Sequence, residues 1–374
     1  MNDRRLAFVI TGLGRGGAET QLTRLVLHLA ARGYELRVVS LLPLDGFASV
    51  LLEAGIPVDT LNLDGMGSLP TAAFRLTSLL RSHEPFAVVS FMYHANILCR
   101  ITRGAINTRR LISSIRNEQF GGWHREFLTH ATDRLSDLTV ANSRVAALKL
   151  VERGVVSRDR IRVIPNALPE RSIRAEPACS PASVYKCNAF VWINAGRLEQ
   201  QKDHATLLSA FALVRKRQPN SQLLIAGDGP LRSILESQAR RLELANSVQF
   251  LGFRNDLPDL VAAADGFVLS SAWEGLPNVV MEALLAGKPV VGTDVGGMRE
   301  LVCEATGYLI PPRNPHLLAD RMLRVMSWSE QRRQDARRAA AAQVAQFSID
   351  RIAAMWERAF FSFSSHSDDS CLCA

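Results

Sequence analysis

Apolar residues along this chain fall into two alternating signatures. Some form short continuous runs, the mark of strands buried on both faces of a parallel sheet. Others recur every three or four positions, the mark of helices packed on such a sheet. Runs at residues 6–11, 36–42, 56–63, 87–91, 111–115, 138–141 and 161–164 predict strands of a first sheet. Runs at 190–195, 223–226, 248–251, 266–269, 289–292 and 307–310 predict a second. Leu22, Leu25, Val26 and Leu29 share one face of a helix that Gly33 closes. Further helices are predicted over 69–82, from the Asn142-Ser143 cap to Glu152, and over 207–217, 231–242, 257–264, 279–286, 316–328 and 331–346. Strand–helix alternation of this kind gives the α/β class with parallel sheets.

Residues 168–187 break the periodicity and carry three prolines. They separate a domain at 1–170 from one at 188–347, with the linker itself at 171–187. Two domains also suit the length, since 374 residues exceed what one hydrophobic core usually organises. No fixed-period repeat is present, and residues 364–374 read as a disordered polar tail.

Composition narrows the class. The chain is 47% apolar and 21% charged, as soluble globular proteins are. No apolar run approaches the roughly 20 residues of a membrane span. The opening MNDRR leads straight into a strand rather than a secretory leader. Six cysteines without metal or disulfide spacing favour a reducing compartment, so a cytoplasmic protein is expected. The terminal Cys-Leu-Cys-Ala fits a prenylation box only loosely, because its third position is not aliphatic.

Charge is uneven. Residues 1–175 hold 23 Lys and Arg against 15 Asp and Glu, a net +8, whereas the remainder holds 21 of each. The basic residues are dispersed and accompany no nucleic-acid motif, so nucleic acid is not an expected partner. An anionic membrane surface touched peripherally, or a phosphate-bearing acceptor, fits better, beside the plain reading of a solvated arginine-rich surface.

Candidate chemistry begins at Gly12, Gly14 and Gly17, which match G-x-G-x-x-G after the first strand. The dinucleotide reading fails there, because Val38-Val39-Ser40-Leu41 lacks the acidic residue that grips a ribose. That removes a nicotinamide oxidoreductase. What remains is a loop whose bare amides can approach a phosphate or sugar closely. His94 follows the 87–91 strand, and Arg116 with Asn117 follows the 111–115 strand.

Residues 266–300 run strand, turn, helix, strand, the way an open parallel sheet presents a ligand site. Asn278 is a predicted N-cap there, and Glu274 and Glu282 bracket seven residues. Helix-start amides suit a phosphate, and a carboxylate suits paired sugar hydroxyls. Cleaving a sugar–diphosphate bond leaves a dianion that needs neutralising. No D-x-D or His/Asp cluster offers a metal site, whereas Arg197 and Lys202 leave the end of one strand together.

The segment Trp273-Glu274-Gly275-Leu276-Pro277-Asn278-Val279-Val280-Met281-Glu282-Ala283 resembles the E-x7-E signature of the retaining glycosyltransferases of family 4, the group 1 enzymes. Gly16-Gly17-Ala18-Glu19, Asn142-Ser143, Ile164-Pro165-Asn166, Gly196-Arg197-Leu198 with Lys202, Gly227-Asp228-Gly229-Pro230 and Gly296-Gly297 follow that family's order. The resemblance implies a GT-B architecture, two Rossmann-like domains facing each other across a cleft, with helix 348–363 crossing back to the first domain. It implies a hexose or N-acetylhexosamine passed with retention from a nucleotide-sugar co-substrate, UDP more than GDP, with no metal or cofactor. The acceptor would be a lipid-linked oligosaccharide, lipopolysaccharide or exopolysaccharide, met at the cytoplasmic face of the membrane. Arg197 and Lys202 would hold the diphosphate, Glu282 the ribose and Glu274 the sugar hydroxyls. The amides of Val279 and Val280 would meet phosphate, Gly252 and Phe253 the base, and Gly16 and Gly17 the cleft. His94 or Arg116 would serve as the sugar-side polar group, since many members carry a histidine where this chain has Arg116-Asn117. The usual I-P-N-G also becomes Ile164-Pro165-Asn166-Ala167. The rival readings are a degenerate sugar-nucleotide-binding scaffold and a GT-B epimerase or phosphorylase.

Overall fold

The structure, a computed structural model, describes residues 3–117, 121–169 and 189–361. The predicted linker and tail, Glu118, and Cys179, Cys187, Cys371 and Cys373 lie outside these residues. The chain divides into two compact units, one of residues 1–169 with 347–374 and a second of residues 170–346.

The first unit contains β1 (Arg5–Ile10), α1 (Gly17–Ala31), β2 (Glu35–Ser40), α2 (Ala48–Glu53), β3 (Val58–Thr60), α3 (Leu69–His83) and β4 (Ala87–Phe91). It continues with α4 (Tyr93–Ile101), β5 (Arg110–Ile115), α5 (Trp123–Thr132), β6 (Leu138–Ala141), α6 (Arg144–Glu152) and β7 (Ile161–Val163). The second comprises β8 (Phe190–Ala195), α7 (His204–Arg217), β9 (Ser221–Ala226), α8 (Arg232–Arg241), β10 (Val248–Gly252), α9 (Leu257–Ala263) and β11 (Gly266–Leu269). It ends with α10 (Asn278–Leu285), β12 (Val290–Thr293), α11 (Met298–Leu301), β13 (Gly307–Ile310), α12 (Pro315–Met326) and α13 (Glu330–Val344). The last helix, α14 (Ile349–Phe361), belongs to the first unit.

Both sheets are wholly parallel and doubly wound. Their strand orders are β3-β2-β1-β4-β5-β6-β7 and β10-β9-β8-β11-β12-β13. In each, strand order reverses beside the first strand, between β1 and β4 and between β8 and β11. An open α/β sheet presents its ligand crevice at such a point, beyond the carboxyl ends of the strands.

The central strands are buried throughout: Leu6 to Ile10 of β1 and all of β4, β9 and β11. Where capping chemistry is explicit, the boundaries follow it. The Ser143 side chain accepts the Ala146 N–H and starts α6 where expected. Three boundaries differ. The 56–63 run shrinks to three residues of strand. Asp203, at φ +44°, caps α7 and starts it three residues before the apolar pattern does. Helix α4, which the apolar pattern does not show, begins at Tyr93, and His94 is its second residue.

Helix α14 completes the first core. Ile349, Ile352, Ala353, Trp356 and Phe360 face inward at helical spacing, and Trp356 stacks on Phe91 of β4 with ring centroids 5.9 Å apart. Glu357 accepts from Tyr34 Oη at 3.1 Å and pairs with Arg32 at 3.3 Å. The carbonyl of Phe347 meets the Leu168 N–H at 2.8 Å, so the two chain segments that leave this unit are bonded to each other. Ala167 is held on both sides by buried Gln21, whose side chain accepts the Ala167 N–H at 2.6 Å and donates to its carbonyl at 2.9 Å. Its φ is not positive, so alanine in place of glycine costs nothing here. Among the described residues no helix is long and apolar enough to cross a membrane.

Trp356 is 1% exposed. Trp356→Ala should therefore destabilise the first unit by about 3–5 kcal/mol. Denaturant unfolding followed by circular dichroism will show it as an earlier loss of part of the signal. An unchanged profile would separate α14 from that core.

Candidate functional site

In the second unit, the backbone ladder between β8 and β11 ends at Ile193 opposite Phe267. The strands part at Asn194, which is fully buried. Its amide donates to the Val268 carbonyl at 2.8 Å and its oxygen faces His204 Nε2 at 2.9 Å. The donated amide fixes the Asn194 orientation, so His204 carries its proton on Nε2. Burial holds the His204 pKa down to about 4, and the Lys202 charge adds to the shift. Nothing in the linear sequence marks this histidine, which sits below the candidate site.

Above it, the loop after β8 is fastened to the loop after β11. Ala272 N–H donates to Gln201 O at 2.8 Å, Ser270 Oγ to Lys202 O at 2.9 Å, and Gln201 Nε2 to Trp273 O at 3.1 Å. At the centre lies an ion pair, Lys202 Nζ to Glu274 Oε1 at 2.5 Å, with side chains only 17% and 7% exposed. Ser271 Oγ donates to the same oxygen at 2.6 Å, and Gln201 Nε2 reaches the other at 3.4 Å. Lys202 and Glu274, to which the sequence assigns separate duties, thus form one buried unit.

Two glycines make the close packing possible. Gly296 has φ +52°, and a Cβ there would lie 2.6 Å from the Gly275 carbonyl oxygen, while Gly297 N–H donates to that oxygen at 2.7 Å. Gly227, at φ +135°, lies against the Gly196 carbonyl, where any side chain would collide. The loops after β8, β9, β11 and β12 therefore meet at one end of the sheet.

The other candidates surround this centre less tightly. Arg197 is 71% exposed and pairs with Glu199 at 2.6 Å, so it does not share the burial of Lys202. Asn278 is not an N-cap. Pro277 occupies that position at φ −74°, ψ 114°, and its carbonyl accepts from Val280 at 3.2 Å and Met281 at 3.4 Å. Asn278, Val279 and Val280 hence form the first helical turn, where amides lack intrahelical acceptors of the usual kind. Glu282 is half-exposed on the stripe it shares with Asn278 and Val279, whereas Met281, Ala283 and Leu284 face the core. Helical rotation separates it from the apolar neighbours that crowd it in the sequence. Gly252, at φ +66°, accepts the Gly227 N–H at 2.8 Å, and Phe253 beyond it is exposed.

In the first unit, Gly16 is the N-cap of α1 and Gly17 its first residue. The Glu19 carboxylate lies over Gly16, already placing negative charge at that helix start. Met92, between β4 and α4, has φ +73° and ψ 163°, a conformation that costs a non-glycine residue about 1–3 kcal/mol. It sets His94 on the first turn of α4, exposed, with its ring edge-on to Tyr93 at 5.2 Å. Partial desolvation by its neighbours and the Arg125 charge push the His94 pKa down, which favours the neutral ring. Arg116 stands at the end of the neighbouring strand β5. Its guanidinium stacks on Phe91 at 4.6 Å and donates to Asn166 Oδ1 at 2.8 Å, and burial lowers its pKa to about 9. Among the described residues no group of three or more His, Cys, Asp or Glu side chains gathers as a metal site.

The pair has a measurable signature. Removing one partner of a buried ion pair costs about 3–5 kcal/mol, with the low end expected where Lys202 is still reached by water. Lys202→Met and Glu274→Gln should each destabilise the second unit, and the double variant should lose less than the sum by about 1–3 kcal/mol. Additive losses in denaturant unfolding would rule out the coupling. His204 supplies a pH signature. An unfolded histidine takes a proton near pH 6.5 and folded His204 only near 4, so the unfolded chain binds more protons in between. Stability contributed by neutral His204 is complete above pH 6.5 and falls by on the order of 3 kcal/mol toward pH 4. The stability difference between wild type and His204→Asn should shrink across that window; a flat difference contradicts the assignment.

Comparison with known proteins identifies the family and the fold. Residues 15–170 match the family described as Glycosyltransferase Family 4, and residues 184–343 the family described as Glycosyl transferases group 1. An uncharacterized glycosyltransferase of Methanocaldococcus jannaschii is 37% identical over 146 residues, 39% of this chain and 34% of that protein. The UDP-Gal:alpha-D-GlcNAc-diphosphoundecaprenol alpha-1,3-galactosyltransferase of Escherichia coli is 31% identical over 198 residues, half of each chain. The chain thus spans between a third and a half of these curated relatives. Anabaena HepE, solved in complex with UDP and glucose, superposes with a TM-score of 0.83 over 96% of this chain and 99% of that one, at 24% identity. That likeness shows the GT-B fold. With one family match on each unit, the chain belongs to the group 1 glycosyltransferases of family 4.

Proposed function

We propose that this chain is a retaining, metal-independent hexosyltransferase. It moves a hexose or N-acetylhexosamine from a nucleotide-sugar, UDP rather than GDP, to a lipid-linked oligosaccharide, lipopolysaccharide or exopolysaccharide acceptor. The observation that carries the reading is the buried Lys202–Glu274 pair at the β8–β11 switch point, beside exposed Arg197 and the first turn of α10. The Escherichia coli relative, by its name, uses a UDP-sugar and an acceptor on diphosphoundecaprenol, which supports both the base and the acceptor class.

In this reading the bond between the anomeric carbon and the donor phosphate oxygen breaks, and its electron pair leaves with the nucleoside diphosphate. An acceptor hydroxyl bonds to that carbon on the same face, and its proton passes to the departing phosphate. Lys202, Arg197 and the amides of Asn278 and Val279 stabilise the growing negative charge, whereas the Val280 N–H, given to the Pro277 carbonyl, contributes only through the helix start. Glu282 takes the ribose hydroxyls, and Gly252 and Phe253 contact the base. Glu274 orients Lys202 and has capacity left for a sugar hydroxyl. Gly16 and Gly17 are assigned to the donor, and His94 or Arg116 to the transferred sugar, with His94 the better sugar-facing group because the Arg116 guanidinium is already engaged. Acceptors of this class are membrane-held, so the activity belongs at the cytoplasmic face, in peripheral contact. One observation favours the scaffold alternative: Glu274 already holds Lys202 in a buried ion pair, as in a site that binds a donor without turning it over.

UDP-sugars should raise the melting temperature more than GDP-sugars do. Glu282→Ala and Lys202→Ala should each lower UDP-sugar turnover by about 100-fold or more. Glu282 is half-buried, so the melting temperature of its variant is measured beside turnover, and an unchanged value assigns the loss to the site. Turnover should also survive a chelator. Wild-type rates in both variants would overturn the site, and donor binding without hydrolysis or transfer would favour the scaffold.

A further inference from the structure

Helix α5 is inside out. Its buried face is polar: Thr129 and Thr132 point inward, and the fully buried Arg100 donates to the Thr129 carbonyl at 3.0 Å and to Thr132 Oγ1 at 3.4 Å. Its outer face carries the large apolar side chains. Trp123 is 79% exposed and Phe127 64%, Leu128 of the same helix is exposed as well, and so is Leu135 just past the helix end. Tryptophan and phenylalanine bury about 150–250 Å² each when covered, so water is a poor neighbour for this face.

The charge around it has one sign. Residues 121–135 contain two acids, and both are neutralised: Glu126 pairs with Arg153, and buried Asp133 pairs with Arg160 at 3.2 Å and Arg100 at 3.8 Å. His124 and Arg134 are exposed on the same segment. An aromatic and aliphatic face rimmed by base, in a unit whose sequence holds 23 Lys and Arg against 18 Asp and Glu and so carries +5 of the net +8, is complementary to anionic headgroups over an acyl boundary. The segment is also anchored beside the sheet's carboxyl end, because the Arg125 guanidinium lies 5.2 Å over the Tyr93 ring and His94 packs edge-on to Tyr93.

We infer that the outer face of α5, led by Trp123 and Phe127, seats the first unit on an anionic lipid surface. The inference rests on the acceptor reading for its purpose, since a lipid-linked acceptor is then met where it is anchored. The contact itself needs no donor, so the two readings fail separately. The test is co-sedimentation of the full chain with vesicles of phosphatidylcholine alone or mixed with phosphatidylglycerol, without nucleotide-sugar. Wild type should partition onto the anionic vesicles only, and Trp123→Ser with Phe127→Ser should weaken partitioning by on the order of tenfold or more. Arg134→Glu should weaken it as well, and the double variant should keep the wild-type melting temperature. Absence of wild-type partitioning, or equal partitioning of the double variant, overturns the inference. So does a wild-type dimer in sedimentation velocity that the double variant dissolves, because the face would then join copies of this chain.

Discussion

The second unit depends on how polar groups are satisfied where two parallel strands stop pairing. Past Ile193 and Phe267 the ladder between β8 and β11 has no further rungs, yet the segments beyond remain buried. Unpaired polar groups in such a place cost about 1–3 kcal/mol each. Side chains take over from the backbone: Asn194 bridges to Val268, His204 to Asn194, Ser270 to the Lys202 carbonyl, and Lys202 to Glu274. The ion pair is the outermost rung of this substitute ladder. It is fixed by the same contacts that hold the fork open, so site geometry and local stability are one property.

The first unit has the same winding and fills its fork differently. Between β1 and β4 lie the start of α1, with the Glu19 carboxylate on it, and the strained Met92 junction. Cations here are held by rings and neutral oxygens: Arg116 by Phe91 and Asn166, Arg100 by Ser113, Thr132 and Thr139 with Asp133 farther off. A guanidinium tolerates this because its charge is delocalised and weakly hydrated. An ammonium in the same setting would need a carboxylate, as Lys202 does.

This contrast explains what the sequence shows and what it hides. Parallel strands buried on both faces read as continuous apolar runs, and β8 and β13 begin and end where those runs do. Helix α14 enters the sequence reading only through the family resemblance, although its inward positions do repeat at helical spacing. Helix α5 is not, because its apolar residues face outward and its buried ones are threonines, so the pattern inverts. The Asn278 error is one of a single residue: asparagine is the better cap by type, but Pro277 already has the extended backbone that a cap requires. The residue identities at the site are visible as the E-x7-E and Arg-Leu-x3-Lys spacings. Their partnership is not, because Lys202 and Glu274 are 72 residues apart and meet only through the strand order.

That partnership constrains the chemistry. A carboxylate has about four lone-pair positions, and Glu274 commits three of them, to Lys202, Ser271 and Gln201. One direction remains, enough for a single sugar hydroxyl rather than a vicinal pair. Lys202 has three N–H donors and spends at least one on Glu274, which leaves up to two for phosphate oxygens. A diphosphate bound there would sit beside the Glu274 carboxylate, and its negative charge would favour drawing the ammonium outward, toward the side of the exposed Arg197. The buried pair would then act as a stop: it would set how far Lys202 could follow the leaving group, and Arg197 would take the charge that Lys202 could not reach.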